Sequence, residues 1–244
     1  MKRIAVVIAL TGLMLAALSG NSRAGFFDDV TSILSGGGTP GSGLDDATIV
    51  KGLKEALSTG TSRAVKSVSQ RDGYFGNEAI KILLPERIRS TADLLGKFGF
   101  QQQVDEVILG MNRAAEKAAP KAAEHFVTAL KAMSFDDARG ILQGGKTSAT
   151  DYFKEKTGPA IFASFKPVIA ASMQDVGLLR SYKSMTDTVE TIPFAGSMGS
   201  LDLEQYVTTR AVEGLFSMLG EEEMKIRTNP AARTSELLKK VFAR

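Results

Sequence analysis

The stretch Val104-Asp105-Glu106-Val107-Ile108-Leu109-Gly110-Met111-Asn112-Arg113-Ala114-Ala115-Glu116-Lys117-Ala118 decides the fold class. Val104, Val107, Ile108, Met111, Ala114 and Ala118 recur every three or four positions, which gathers them on one face of an α-helix.

The same rhythm continues in both directions. Upstream, Val50, Leu53, Leu57, Ala64 and Val68 predict a helix started by Asp45 or Asp46 and ended by Arg71-Asp72-Gly73. Pro85 suits the first position of a helix running to about Phe98. Downstream, Pro120 restarts or kinks the chain into a segment ending near Met133. Ser134 with Asp137, Ser148 with Asp151, and Asp202 with Gln205 have the spacing of N-terminal caps. Helices are therefore expected near 135–142, 148–157, 159–175, 177–189, 202–227 and 233–242. The least helical piece, Gly73 to Asn77 followed by Ala79 to Pro85, predicts an extended segment near 79–84, read as a short strand laid across the helices. The expectation is an all-α, single multi-helical domain of about eight or nine helices over residues 44–244.

What precedes that body reads as an address and a tether. Lys2 and Arg3, the apolar run Ile4 to Leu18, and Ser22-Arg23-Ala24 have the form of a signal peptide over residues 1–24, cleaved after Ala24. The run is shorter than the roughly 20 residues that span a bilayer, and no later stretch predicts a transmembrane anchor in the mature chain. Residues 25–43 comprise a short helix at 26–34 and the Gly-rich linker Gly36 to Gly43.

The chain has 244 residues and no Cys, no Trp and a single His, His125. Thiol nucleophiles, thiolate metal sites and disulfides are thereby excluded. About 220 residues bury a core without disulfides, so an exported chain lacking Cys points to a bacterial periplasm. The formal charge of +3 comes from the leader, because losing Lys2, Arg3 and Arg23 leaves 27 basic against 27 acidic residues. A neutral mature chain argues against a nucleic-acid partner.

Two motifs fail on context. Gly140-Ile141-Leu142-Gln143-Gly144-Gly145-Lys146-Thr147 matches the phosphate-binding G-x-x-x-x-G-K-T, but a capped helix precedes it instead of a strand. Ala195-Gly196-Ser197-Met198-Gly199 is one residue from a nucleophile elbow, yet His125 precedes the serine where the triad needs a later histidine. Residues 27–37 echo 135–145, which reflects two short helices with acids at one end and Gly at the other. His125 lacks a spaced acidic partner and is expected as a surface or interhelical residue.

In the helix from Asp202 the stripe Leu203, Val207, Ala211, Gly214, Leu215, Met218, Leu219 and Ile226 encloses Glu222, with Glu221 at its edge and Glu223 outside. A carboxylate on a core face must be paired or neutral. It serves either as a ligand or metal carboxylate or, more commonly, as half of a structural ion pair.

Six segments together resemble one family. They are Leu53 to Leu57, Asp72 to Asn77, Leu109 to Glu116, Ala138 to Leu142, Ala149 to Phe153, and Tyr206-Val207-Thr208 through Asn229-Pro230. The chain is similar to the exported bacterial domain-of-unknown-function family 4197. That resemblance implies a periplasmic or envelope-associated helical protein of a Gram-negative bacterium, and it implies no activity, cofactor or catalytic residue.

The leading functional expectation is a non-enzymatic periplasmic domain binding an apolar ligand, such as a lipid, or an envelope protein. Met111, Met133, Met173, Met185, Met198, Met218 and Met224 would supply either an adaptable groove or an ordinary core. The ligand or partner candidates are Glu222, Glu221, Arg210, Tyr206 and Tyr152, with no metal, cofactor or catalytic residue assigned. The alternatives are a structural or oligomeric interaction protein, and a carboxylate enzyme centred on Glu222 with Glu221 and Arg227 near Tyr152 or Tyr206.

Overall fold

A computed structural model of the chain describes residues 46–175, 177–191 and 201–228. The leader, the 25–43 segment, the 195–199 loop with Met198 and the 233–242 helix lie outside the described residues. The described residues form six helices and no strand. Helix α1 is Asp46–Ser69, and α2 is one long bent run. This run consists of α2a (Glu86–Leu95), a π-turn (Gly96–Phe100), α2b (Gln101–Ala118), a 3-10 turn (Ala119–Lys121) and α2c (Ala122–Ala132). Then follow α3 (Phe135–Gln143), α4 (Ser148–Asp175), α5 (Leu178–Thr191) and α6 (Leu203–Thr228).

The count of six corrects the expected eight or nine, and two prolines together with the turn at Gly96–Phe100 account for the difference. Pro120 falls in the first positions of the 3-10 turn, where its missing N–H has no helical partner to lose, so the chain runs through it. Pro159, expected to separate two helices, lies inside α4 with Pro167. Each removes the donor for the carbonyl four residues earlier, at Glu155 and Ala163, and both of those residues are exposed to water. The opposite face of α4 buries Phe153, Thr157, Ile161, Phe165 and Ile169, and this packing holds the helix together across both prolines. The bend between α2a and α2b sits at Gly99, whose φ of 91° is open to glycine and strained for other residues. Helix α3 starts as its sequence predicts: the Ser134 Oγ accepts from the Asp137 N–H while the Asp137 carboxylate accepts from the Ser134 N–H.

Helices α4 and α6 lie against each other, flanked by α1 and α2b. The Ala114, Ala115, Ala118, Ala119 and Ala122 side chains of α2 are fully buried, which lets helix backbones approach closely. Phe126 makes edge-to-face contacts with Phe153 (5.2 Å) and Phe216 (6.0 Å), tying α2c, α4 and α6 into one core.

Candidate functional site

The segment between α1 and α2 is the one described stretch of any length that is not helical, and buried side chains hold it in place. It begins at Asp72, whose φ of 67° is unusual for a non-glycine residue and whose carboxylate is tied to Arg113 Nη2 at 2.6 Å. Tyr74 is fully buried, and its hydroxyl donates to the Ala211 carbonyl of α6 at 2.6 Å. Burial, reinforced by the nearby Glu116 charge, holds that phenol neutral well above the usual tyrosine range. Glu116 Oε1 accepts from the Tyr74 and Phe75 N–H groups, while its Oε2 takes Arg113 Nη1 at 2.6 Å. Further on, the Asn112 carboxamide accepts from the Ile82 N–H (2.9 Å) and donates to the Ile82 carbonyl (2.8 Å).

Those two Asn112 bonds are the pair that a neighbouring strand would make, which explains why Lys81 to Pro85 is extended although no strand pairs with it. The expected strand near 79–84 is thus corrected to a turn through Ile80 and an extended segment clasped by one side chain. Gly214 lets the segment sit close to α6, since a Cβ there would lie 2.7 Å from Tyr74 Cε1 and 3.2 Å from Ile80 Cβ.

Between this segment and α6 lies a cleft of about 280 Å³, lined by residues 79–83 together with Arg89, Tyr206, Arg210, Glu213, Gly214 and Ser217. The Tyr206 hydroxyl donates to the Leu83 carbonyl at 2.7 Å, fixing one end. Arg210 stacks over the Tyr206 ring at 5.6 Å and donates from Nη1 to Glu213 at 2.9 Å. The Tyr206 hydroxyl first, and Glu213 after it, hold the Arg210 guanidinium above its ordinary value. Lys81 Nζ stands 4.1 Å from the centre of the Phe75 ring.

Of the five candidates, Tyr206 and Arg210 come together in this cleft, and Glu221, Glu222 and Tyr152 do not line it. Tyr152 lies on α4 and donates to the Ala129 carbonyl of α2c at 3.2 Å. Glu222 is largely buried, its side chain 12% exposed, and is paired on its own helix with Lys225 Nζ at 2.7 Å; Glu221 is half-buried on the preceding position.

The more deeply buried acid of α6 is Glu223, its side chain 5% exposed, which the stripe placed outside. Its carboxylate accepts from the Ala149 N–H (3.0 Å), the Thr150 N–H (2.8 Å), the Thr150 hydroxyl (2.7 Å) and Arg227 Nη2 (2.7 Å). The buried face of α6 changes along its length. At 100° per residue Leu203, Val207, Ala211 and Gly214 fall within about 80°, whereas Phe216, Gly220, Glu223 and Arg227 cluster on roughly the opposite side. That second face meets the start of α4 and the Ile141 carbonyl of α3, which Arg227 Nη2 reaches at 3.1 Å. The same clasp disposes of the phosphate-loop match. The α4 N-terminal N–H groups that a phosphate would use already bind the Glu223 carboxylate, and Gly140 to Gln143 belong to a helix.

Met111, Met133, Met173, Met185 and Met218 are buried in the core rather than around a groove, and Met224 is exposed. His125 Nε2 is 2.8 Å from Ser164 Oγ, a partner the sequence did not announce. Ser164 lies inside α4, whose backbone N–H groups are committed to the helix and leave no oxyanion hole beside it. Among the described residues there is no cluster of three or more metal-ligating side chains and no helix long and apolar enough to cross a membrane.

Sequence reasoning missed Lys81, Arg89, Glu213 and Ser217 of the cleft, and Asn112 and Glu116 behind it. The available signal was the i,i+4 spacing of Asn112 and Glu116 on the flank of an Ala-rich apolar stripe, where a polar group needs a partner.

A family model described as protein of unknown function (DUF4197) matches residues 43–243, and the chain belongs to that family. No curated protein and no solved structure matches it.

Proposed function

We propose that this DUF4197 member is an exported, non-enzymatic binding domain that takes a small polar ligand in the cleft between residues 79–83 and α6. The carrying observation is a preorganised wall: Asn112, Glu116, Tyr74 and Tyr206 fix the backbone on one side, opposite the regular face of α6. A site built this way loses little ordering entropy on binding. Its lining contains no His, Cys or Asp, and its one carboxylate, Glu213, is engaged by Arg210, which favours binding over acid–base chemistry. The leader over residues 1–24 supports export to the periplasm.

A fragment screen on the ¹⁵N-labelled mature protein tests the site. Binders should shift the amides of Ile80 to Leu83 and of Tyr206 to Ser217, and Ser217→Trp, at an exposed position, should abolish those shifts while leaving helical circular dichroism unchanged. Hits that map elsewhere, or that persist in the filled variant, overturn the proposal. Cell fractionation tests export: a periplasmic species lacking residues 1–24 is expected, and a cytosolic species retaining them refutes it.

A further inference from the structure

Resting on that binding reading, we infer that the cleft's ligand carries an anionic head, a carboxylate or a phosphate, and that Glu213 is the internal competitor it displaces from Arg210.

The lining places Lys81, Arg89 and Arg210 around one opening with Glu213 as the sole acid, an excess of positive charge in a chain whose mature composition is neutral. Both arginines are held by carboxylates one turn away on their own helices. Arg210 is paired with Glu213 at 2.9 Å, and Arg89 with Glu86 at 2.8 Å. All four side chains are largely exposed, at 55% and 53% in the first pair and 45% and 81% in the second. Exposed pairs of this kind are weak, so a ligand oxyanion can replace either carboxylate at small cost.

The arginines stay charged throughout the physiological range, and each fork presents parallel donors to a planar carboxylate or a phosphate face. Stacking on Tyr206 restrains the Arg210 guanidinium before any ligand arrives. Lys81 is steadied by the Phe75 ring and adds a third cation. A volume of about 280 Å³ suits a small acid, at the lower end of typical ligand pockets. Beside the cations, Leu83 is 42% exposed and offers apolar contact to a short carbon chain.

The test titrates the mature protein with inorganic phosphate, with succinate, and with succinamide as a neutral control of similar shape, reading amide shifts and the Arg210 Nε–H. Saturable shifts at Leu83 and Glu213 are expected with phosphate, succinate or both, and none with succinamide. Response to one anion alone identifies which head group the site takes, and response to both identifies a shared oxyanion site. Glu213→Gln should tighten binding about two- to fivefold by removing the competitor, and Arg210→Gln should weaken it at least about tenfold. Succinamide binding as well as succinate, or a Glu213→Gln variant that binds no tighter, overturns the inference. If neither anion shifts the cleft while neutral fragments do, the anion inference fails and the binding site stands. If fragments also miss the cleft, both fail.

Discussion

Replacing Glu223 by Gln tests the architecture at its most concentrated point. The wild-type carboxylate is 5% exposed and receives hydrogen bonds from two backbone N–H groups of α4, one hydroxyl and two nitrogens of Arg227. Glutamine keeps the length and one carbonyl acceptor but removes the charge and turns the second oxygen into a donor facing other donors. Arg227, itself only 8% exposed, then loses the carboxylate that takes two of its nitrogens. Removing one partner of such a pair costs about 3–5 kcal/mol, and the oxygen that glutamine retains places the expected loss near 3 kcal/mol. With a urea m-value of about 2–3 kcal/mol/M, the unfolding midpoint should fall by about 1–1.5 M. Since water and ions do not reach the pair, the shift should persist in high salt. In the double variant with Arg227→Met, both charges of this pair are gone, and the combined loss should be clearly smaller than the sum of the two single losses. A Glu223→Gln loss under about 1 kcal/mol, or additive single effects, would refute the claim that this clasp fastens α6 to the start of α4.

Three further outcomes are expected. Tyr74→Phe deletes the buried bond to the Ala211 carbonyl and should cost about 1–2 kcal/mol in urea unfolding. Because burial raises the Tyr74 value, wild-type stability should decline once pH passes about 10, where the unfolded chain ionises and the folded one does not, and the variant should lose that part of the decline. The Ser134 hydrogen bonds, its side chain first, lower the Asp137 value. Its contribution is therefore present above about pH 4 and lost as pH falls through the lower folded value, so Asp137→Asn should flatten the acid limb of helical circular dichroism in that window. Gly214→Ala places a methyl group 2.7 Å from the Tyr74 ring, and the overpacking cost of about 1–3 kcal/mol should outweigh the roughly 1 kcal/mol helix-propensity gain and lower the thermal midpoint.

The helical class was legible because it depends on local periodicity, and α1, α3, α5 and α6 lie close to where spacing and caps put them. The helix count was less legible because it depends on what surrounds a proline. Pro159 reads as a break in isolation, yet its freed carbonyl meets water on one side while the core holds α4 on the other. The extended segment at 79–84 was visible as a failure of helical rhythm, but its hydrogen-bond partner was not. A strand is completed by a backbone of matching register, whereas here one carboxamide 30 residues away completes it, and no pattern at 79–84 specifies that.

The site was legible by halves for a related reason. Tyr206 and Arg210 are four apart on α6 and share a face by periodicity alone, so their pairing in the cleft follows from sequence spacing. Lys81 and Arg89 reach the same cleft through the connector and α2a, and their approach is set by Tyr74 binding Ala211 and by the missing side chain at Gly214. The stripe put Glu222 on a buried face, and its side chain is 12% exposed and paired with Lys225, but leaving Glu223 outside assumed that one stripe serves a whole helix. A 26-residue helix runs about 39 Å and meets different neighbours at its two ends, so its buried face need not be the same at both. Near its start α6 buries the side that faces the connector, and toward its end it also buries a second side against α3 and α4, where the Glu223 carboxylate is tolerated because helix-end donors and Arg227 meet it. A polar residue off the stripe of a long amphipathic helix is therefore best judged against the ends of the other helices, since those are where unsatisfied donors are to be found.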